Sequence, residues 1–283
     1  MDTIALSNSA KSVTSLEVDL QNANMAKANI EKLGIKNIKI LNMSFEDFQK
    51  ENSLQKFNGI WADPARRKER EERTFNPDNY SPSLSSLLSL DFDEVIGIKI
   101  SPGINLDPNL TRDWHKQFSG NRTECTEQVL WKNAGMKYGS VLLVNPLVIW
   151  EAKNTDETEI LNIENFPKEF YLIEPHPTLI RSGKLSNFYA EYSIKLIDSK
   201  IAYGITTEEN FPKNLVTGFK VLYFGEFSLS NLQKMINQLN FSKNAEIKKR
   251  GFPEEPDTFR KKLKFVENGE DGVIILTKQE DKR

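Results

Sequence analysis

Two acidic residues of this chain close apolar runs, a placement that suits ligand handling. The first is Glu17, at the end of VTSLEV (13–18), with Asp19 opening a helix directly after it. In doubly wound sheets ligands gather beyond the carboxyl ends of the strands, and an acid there commonly accepts hydrogen bonds from ribose hydroxyls. A solvated carboxylate at a strand end would read the same way. The second is Asp63, in Trp61-Ala62-Asp63-Pro64-Ala65-Arg66-Arg67, after the apolar run NGIWA. Pro64 makes the turn rigid. A carboxylate on such a turn can accept a hydrogen bond from an amine and aim its lone pair at an electrophile. An ordinary Asp-Pro turn is the plain alternative. Arg66 and Arg67 begin a run of eight charged residues (66–73) and, being nearest Asp63, are candidates for phosphate contacts. A run of mixed sign more often forms a solvated loop. Lys99, in KISPG (99–103), closes another apolar strand and could line the substrate side of the same crevice.

These residues need a frame, and the apolar periodicity supplies one. Leu20, Ala23, Ala26, Ile30 and Leu33 recur at three and four, which predicts one helix face ending at Gly34. IKNIKIL (35–41) and EVIGIKIS (94–101) read as strands, and SLSSLLSL (83–90) as a helix. CTEQVLWKN (125–133) and SVLLVN (140–145) read as antiparallel neighbours. Strand and helix alternate up to this pair, which argues for a mostly parallel sheet covered by helices. The polar segment 154–170 lacks periodicity and is read as a linker, dividing the chain into 1–153 and 154–283. Beyond it, a helix is expected near Thr178–Tyr192. A βαβαβ series follows: FKVLYFGEF (219–227), SLSNLQKMINQLN (228–240), AEIKKRG (245–251), PDTFRKKLK (256–264) and GVIILTK (272–278).

In order and spacing, strand–Glu–helix, strand, polar turn and strand–Asp–Pro resemble class I S-adenosylmethionine-dependent methyltransferases. In that family a strand-end acid binds the cofactor ribose, and a later Asp/Asn-Pro-Pro-Tyr-like motif holds the target. The resemblance implies S-adenosyl-L-methionine as cofactor, Glu17 and Asp63 among its contacts, and Asp63-Pro64 as the catalytic turn. In the turn Asn42-Met43-Ser44-Phe45-Glu46-Asp47, it places Ser44 against the adenine amino group. Asp63-Pro64-Ala65-Arg66 departs from the pattern: alanine replaces the second proline and arginine the aromatic, which puts stacking on the target in doubt. A narrower resemblance covers nearly the whole chain. DTIALS, the LEVD turn, WADPARR, IKISPGI, TEQVLW, YLIEPHPTLIRSG, IAYG and IKKRGFPEEPDTFRKKLK are similar to bacterial methyltransferases with a C-terminal THUMP-like domain. That likeness implies a Rossmann-like sheet at 1–153, a THUMP-like α/β domain at 154–283, and RNA as the partner. Such enzymes carry a strand and a Gly-rich loop before the stretch matching DTIALS. The sequence has no Gly-x-Gly near Glu17, so the reading expects a truncated chain, lacking a central strand and much of its cofactor grip. A non-catalytic RNA-binding or interaction module is the competing reading.

Composition narrows the classes. Of 283 residues, 38% are hydrophobic and 28% charged, which suits a globular chain rather than a disordered one. A net charge of −2 gives no overall attraction to nucleic acid or membrane, so an RNA partner needs a local basic face. Residues 213–283 hold 14 Lys and Arg against 10 Asp and Glu, and Lys248, Lys249, Arg250 and the run 260–264 could form one. Cys125 is the single cysteine, and with only His115 and His176 beside it no His/Cys metal site is expected. No apolar run approaches the roughly 18–20 residues of a membrane span. The chain is read as cytoplasmic.

Overall fold

The computed structural model describes residues 2–65, 76–136, 139–153 and 156–278. The chain forms two compact units: residues 1–99, 106–112 and 132–134, and the remainder.

In the first unit the elements are α1 (Asp2–Ser7), β1 (Val13–Leu16), α2 (Leu20–Lys32), β2 (Ile38–Leu41), α3 (Phe45–Glu51), β3 (Gly59–Ala62), α4 (Leu84–Leu88) and β4 (Val95–Ile100). β1 runs parallel to β2, and β3 parallel to β4, with Ala62 opposite Ile98. β1 and β3 belong to different sheets. Local chemistry sets the ends of α2. Asp19 accepts from the Asn22 N–H at 2.7 Å and caps its start. At the other end Gly34 sits at φ +68°, with Gly34 N–H on Glu31 O and Ile35 N–H on Ile30 O. That is a Schellman closure, and it needs a residue without a Cβ penalty in the left-handed region. Of the expected apolar face only Ala23 and Ile30 are buried, while Leu20 and Leu33 are 61% and 60% exposed. The helix is held by a narrower stripe than its spacing predicts. Ile96, Ile98 and Ile100 of β4 are fully buried, with Leu84, Leu87 and Phe92 also in the core.

In the second unit β5 (His115–Gly120), β6 (Cys125–Lys132), β7 (Ser140–Val144) and β8 (Leu147–Glu151) lie in the order β6-β5-β7-β8. β6 and β7 are therefore not neighbours. β5 lies between them, antiparallel to β6 and parallel to β7. Next come β9 (Tyr171–Pro175), α5 (Pro177–Arg181), α6 (Leu185–Glu191), β10 (Lys195–Leu196), β11 (Gly204–Thr206) and β12 (Val216–Lys220). The strands of this series form an antiparallel sheet of order β10-β11-β9-β12. The single helix expected near Thr178–Tyr192 is two helices, broken at Gly183, whose φ is +68°. α7 (Leu229–Gln238), β13 (Glu246–Arg250), α8 (Pro256–Lys262) and β14 (Val273–Thr277) complete the chain, with β13 parallel to β14. The strand expected at 219–227 ends at Lys220. The aromatics beyond it cover other surfaces: Phe224 packs on Phe166 and Phe170, and Phe227 on Phe252 and Phe259. Within the segment read as a linker, residues 156–170 are not bare. Leu161 N–H bonds Leu196 O, and Phe170 is buried beside Ile197, Ile201 and Tyr203.

Candidate active site

The parallel register of β3 and β4 builds the first part of the site. Ala62 stands opposite Ile98, so the next residues, Asp63 and Lys99, emerge side by side. The Lys99 ammonium lies 2.7 Å from Asp63 Oδ2 and 3.3 Å from Asp2 Oδ2. Its side chain is 14% exposed, against 44% for Asp63 and 39% for Asp2. The turn after Asp63 is pinned: Pro64 is buried, and Ala65 and Ser81 exchange backbone hydrogen bonds of 3.0 and 3.2 Å. The Trp61 indole N–H donates to the same Asp2 oxygen at 2.9 Å. Burial pushes the Asp2 carboxyl up, but the Trp61 hydrogen bond and the Lys99 charge outweigh it and hold the group below the usual carboxylate range. The cluster thus carries one positive charge between two negative ones.

α1 ties this end of β3 to the end of β1. Thr3 Oγ1 and Ser15 Oγ are 3.1 Å apart, one residue along from Asp2. Glu17 lies two residues beyond Ser15, as Asp63 lies two beyond Trp61. The Glu17 N–H continues the ladder to Leu41 O at 3.0 Å, and its Oε1 accepts from Asp19 N–H at 2.9 Å. Oε2 has no hydrogen bond among the described residues. Asn42 fastens the turn by donating to Glu17 O and Val18 O at 2.9 and 2.8 Å. Ser44 caps α3: its Oγ accepts from Asp47 N–H at 3.0 Å and donates to Asp47 Oδ2 at 2.8 Å. The hydroxyl proton is committed, which leaves one acceptor lone pair.

Arg66 and Arg67 lie outside the described residues. Asp2, Trp61 and Asn42 join the site unforeseen. Each acts through a single hydrogen-bonding group whose partner is 24 to 97 residues away, so no local pattern marks it. The other singled-out residues of the second unit have structural partners. His115 Nε2 meets Ser140 Oγ at 2.8 Å, and burial pushes its pKa down. His176 Nδ1 caps α5 through Thr178 N–H, and burial pushes the Cys125 thiol up. The IKKRG motif is engaged as well. Lys248 is 2.6 Å and Arg250 3.7 Å from Glu174, and Lys249 pairs with Glu255. Among the described residues no group of three or more His, Cys, Asp or Glu could hold a metal, and no helix is long and apolar enough to cross a membrane.

Glu17 and Asp63 thus stand at the carboxyl ends of parallel strands, where α/β folds commonly gather ligands. A solved structure of an inferred methyltransferase from Porphyromonas gingivalis W83 superposes with a TM-score of 0.68 at 20% identity, over 98% of this chain and 71% of that one. At that identity the likeness is one of fold. The mixed α/β architecture read from the sequence is thus a fold that a methyltransferase structure shares. Two relatives from strains of Mycobacterium tuberculosis, each named an uncharacterized S-adenosylmethionine-dependent methyltransferase, are 26% identical over 218 residues, 76% of this chain. The chain spans 59% of their length. Residues 216–283 match a family described as THUMP domain-like.

Proposed function

We propose that the chain serves S-adenosylmethionine-dependent methyl transfer to an amine-type nucleophile on RNA, in the cytoplasm, with the first unit handling the cofactor and acceptor. The observation that carries this reading is the strand-end cluster of Asp63, Lys99 and Asp2, tied through α1 to the end of β1 and Glu17. The residues present fit the cofactor. The unpartnered Oε2 of Glu17 can accept from ribose hydroxyls, and the remaining lone pair of Ser44 Oγ can accept from the adenine amino group. The carboxylates of Asp63 and Asp2 suit a cationic sulfonium. When bound, S-adenosylmethionine supplies an electrophilic methyl group, so the protein's task is chiefly alignment. Asp63, on a turn fixed by Pro64, accepts a hydrogen bond from the acceptor and orients its lone pair. Arg66 and Arg67 take phosphate contacts, and Lys99 acts on the substrate side. The C-terminal portion, taken as 154–283, presents the RNA, a role supported by the THUMP-like match alone. Since Lys248, Lys249 and Arg250 are already paired, phosphate contacts there fall to the exposed Lys243, Lys261 and Lys264.

Calorimetric titration with S-adenosylmethionine tests the reading. Saturable binding is expected. Glu17→Ala should weaken it about tenfold or more, the effect of losing hydrogen bonds to a charged group. Heat-silent titrations at high cofactor concentration would remove the proposal.

A further inference from the structure

We propose that Lys99 is the positioning residue of this site: clamped between Asp63 and Asp2, its ammonium dictates which oxygen of Asp63 meets the acceptor. The inference rests on the methyl-transfer reading above. Three observations carry it. Lys99 is mostly buried although it ends a strand beside the crevice, and two carboxylate oxygens take its donors at 2.7 and 3.3 Å. The far carboxylate is itself anchored, since Trp61 Nε1 donates to the same Asp2 oxygen at 2.9 Å. Finally, Lys99 engages Asp63 through Oδ2, while Oδ1 has no hydrogen bond among the described residues and Asp63 is the most exposed member of the cluster. An ionised carboxylate only accepts hydrogen bonds. The group placed against Oδ1 must therefore bring an N–H or O–H of its own. This admits an amino or amide nitrogen, or a hydroxyl, and rejects a ring nitrogen that carries no hydrogen. Lys99 thus reaches the substrate through Asp63 rather than by touching it.

Lys99→Met and Lys99→Arg in the whole chain test the clamp by two readouts. In methyl transfer to an amino-bearing RNA, Lys99→Met should lower kcat about a hundredfold, the scale of a misplacement near 1 Å, with S-adenosylmethionine affinity within twofold. Lys99→Arg, which keeps the charge, should recover most of the loss. In carboxylate-carbon NMR, the Asp2 titration midpoint should rise in Lys99→Met and return in Lys99→Arg. If Lys99→Met does not fold, Asp2→Asn, which removes the far anchor, should lower kcat about tenfold. Wild-type kcat in the folded variant, or an unmoved Asp2 midpoint, overturns the proposal. Parallel losses of cofactor and acceptor binding overturn it too. A wild-type chain that transfers no methyl group sinks the functional reading alone; the rise or constancy of the Asp2 midpoint then still decides the clamp.

Discussion

Tyr203 shows how a single buried phenol couples this fold to pH. It is 1% exposed, its hydroxyl lies 3.5 Å from Glu174 Oε1, and the Arg250 guanidinium sits 4.9 Å over its ring. Burial and the charge of Glu174 push its pKa up to about 12 from an ordinary 10.0. The folded state therefore keeps a proton that the unfolded state releases. The stabilisation is complete below pH 10 and is lost as pH climbs from 10 to 12, about 3 kcal/mol in all. Chemical denaturation across that range should show the decline, and Tyr203→Phe should make it shallower, the raised Tyr189 hydroxyl keeping a part; an unchanged slope in the variant would assign it elsewhere. At this scale the sequence was legible where the apolar pattern sets a residue's place in the fold. Glu17 and Asp63 directly follow β1 and β3, Lys99 is the last but one residue of β4, and His176-Pro177 opens α5. Asp2 was not legible. Its value comes from Trp61 and Lys99, far away along the chain, so no local pattern marks it.

Helix ends were the most readable elements, because capping is a contact between residues a few positions apart. Gly34 and Pro256 stand where a helix must stop or start. Gly34→Ala should cost about 1 kcal/mol by forcing a Cβ into the left-handed region, and a thermal melt should show a lowered Tm; no change would mean that the α2 terminus is frayed. Strands were harder. β5 was missed because HKQFSG buries His115, Ser119 and Gly120, residues that read as a loop. Glycine is required at 120: a Cβ there would come within 2.6 Å of Glu124 O. Tertiary packing, not propensity, makes this strand. The reverse error lies at 221–227, where a run of aromatics imitates a strand but serves as cover for two separate clusters.

Considered as a whole molecule, the chain does not divide at the edge of its recognisable segment. Residues 216–283 match the THUMP-like family, yet β12 pairs with β9, at Tyr171–Pro175. Lys248 and Arg250 likewise lean on Glu174 of β9. A fragment of 216–283 should therefore lack a cooperative melt by circular dichroism, whereas one beginning at 157 should regain it. Sharp melting of the shorter piece would show that β9 is dispensable. The alternation of strand and helix in the first half was enough to read the fold class, but not the placement of β5 between β6 and β7. That neighbour relation is set by β5, the strand the pattern had concealed.

The grip of Glu174 on Lys248 and Arg250 also changes what the most basic-looking stretch of the chain offers to a polyanion. Two cations that already share a carboxylate hold few counterions of their own. They have correspondingly little to release when a phosphate backbone arrives. Electrostatic attraction at this face is thus weaker than the letters KKR suggest, and it falls to the lysines that Glu174 leaves alone.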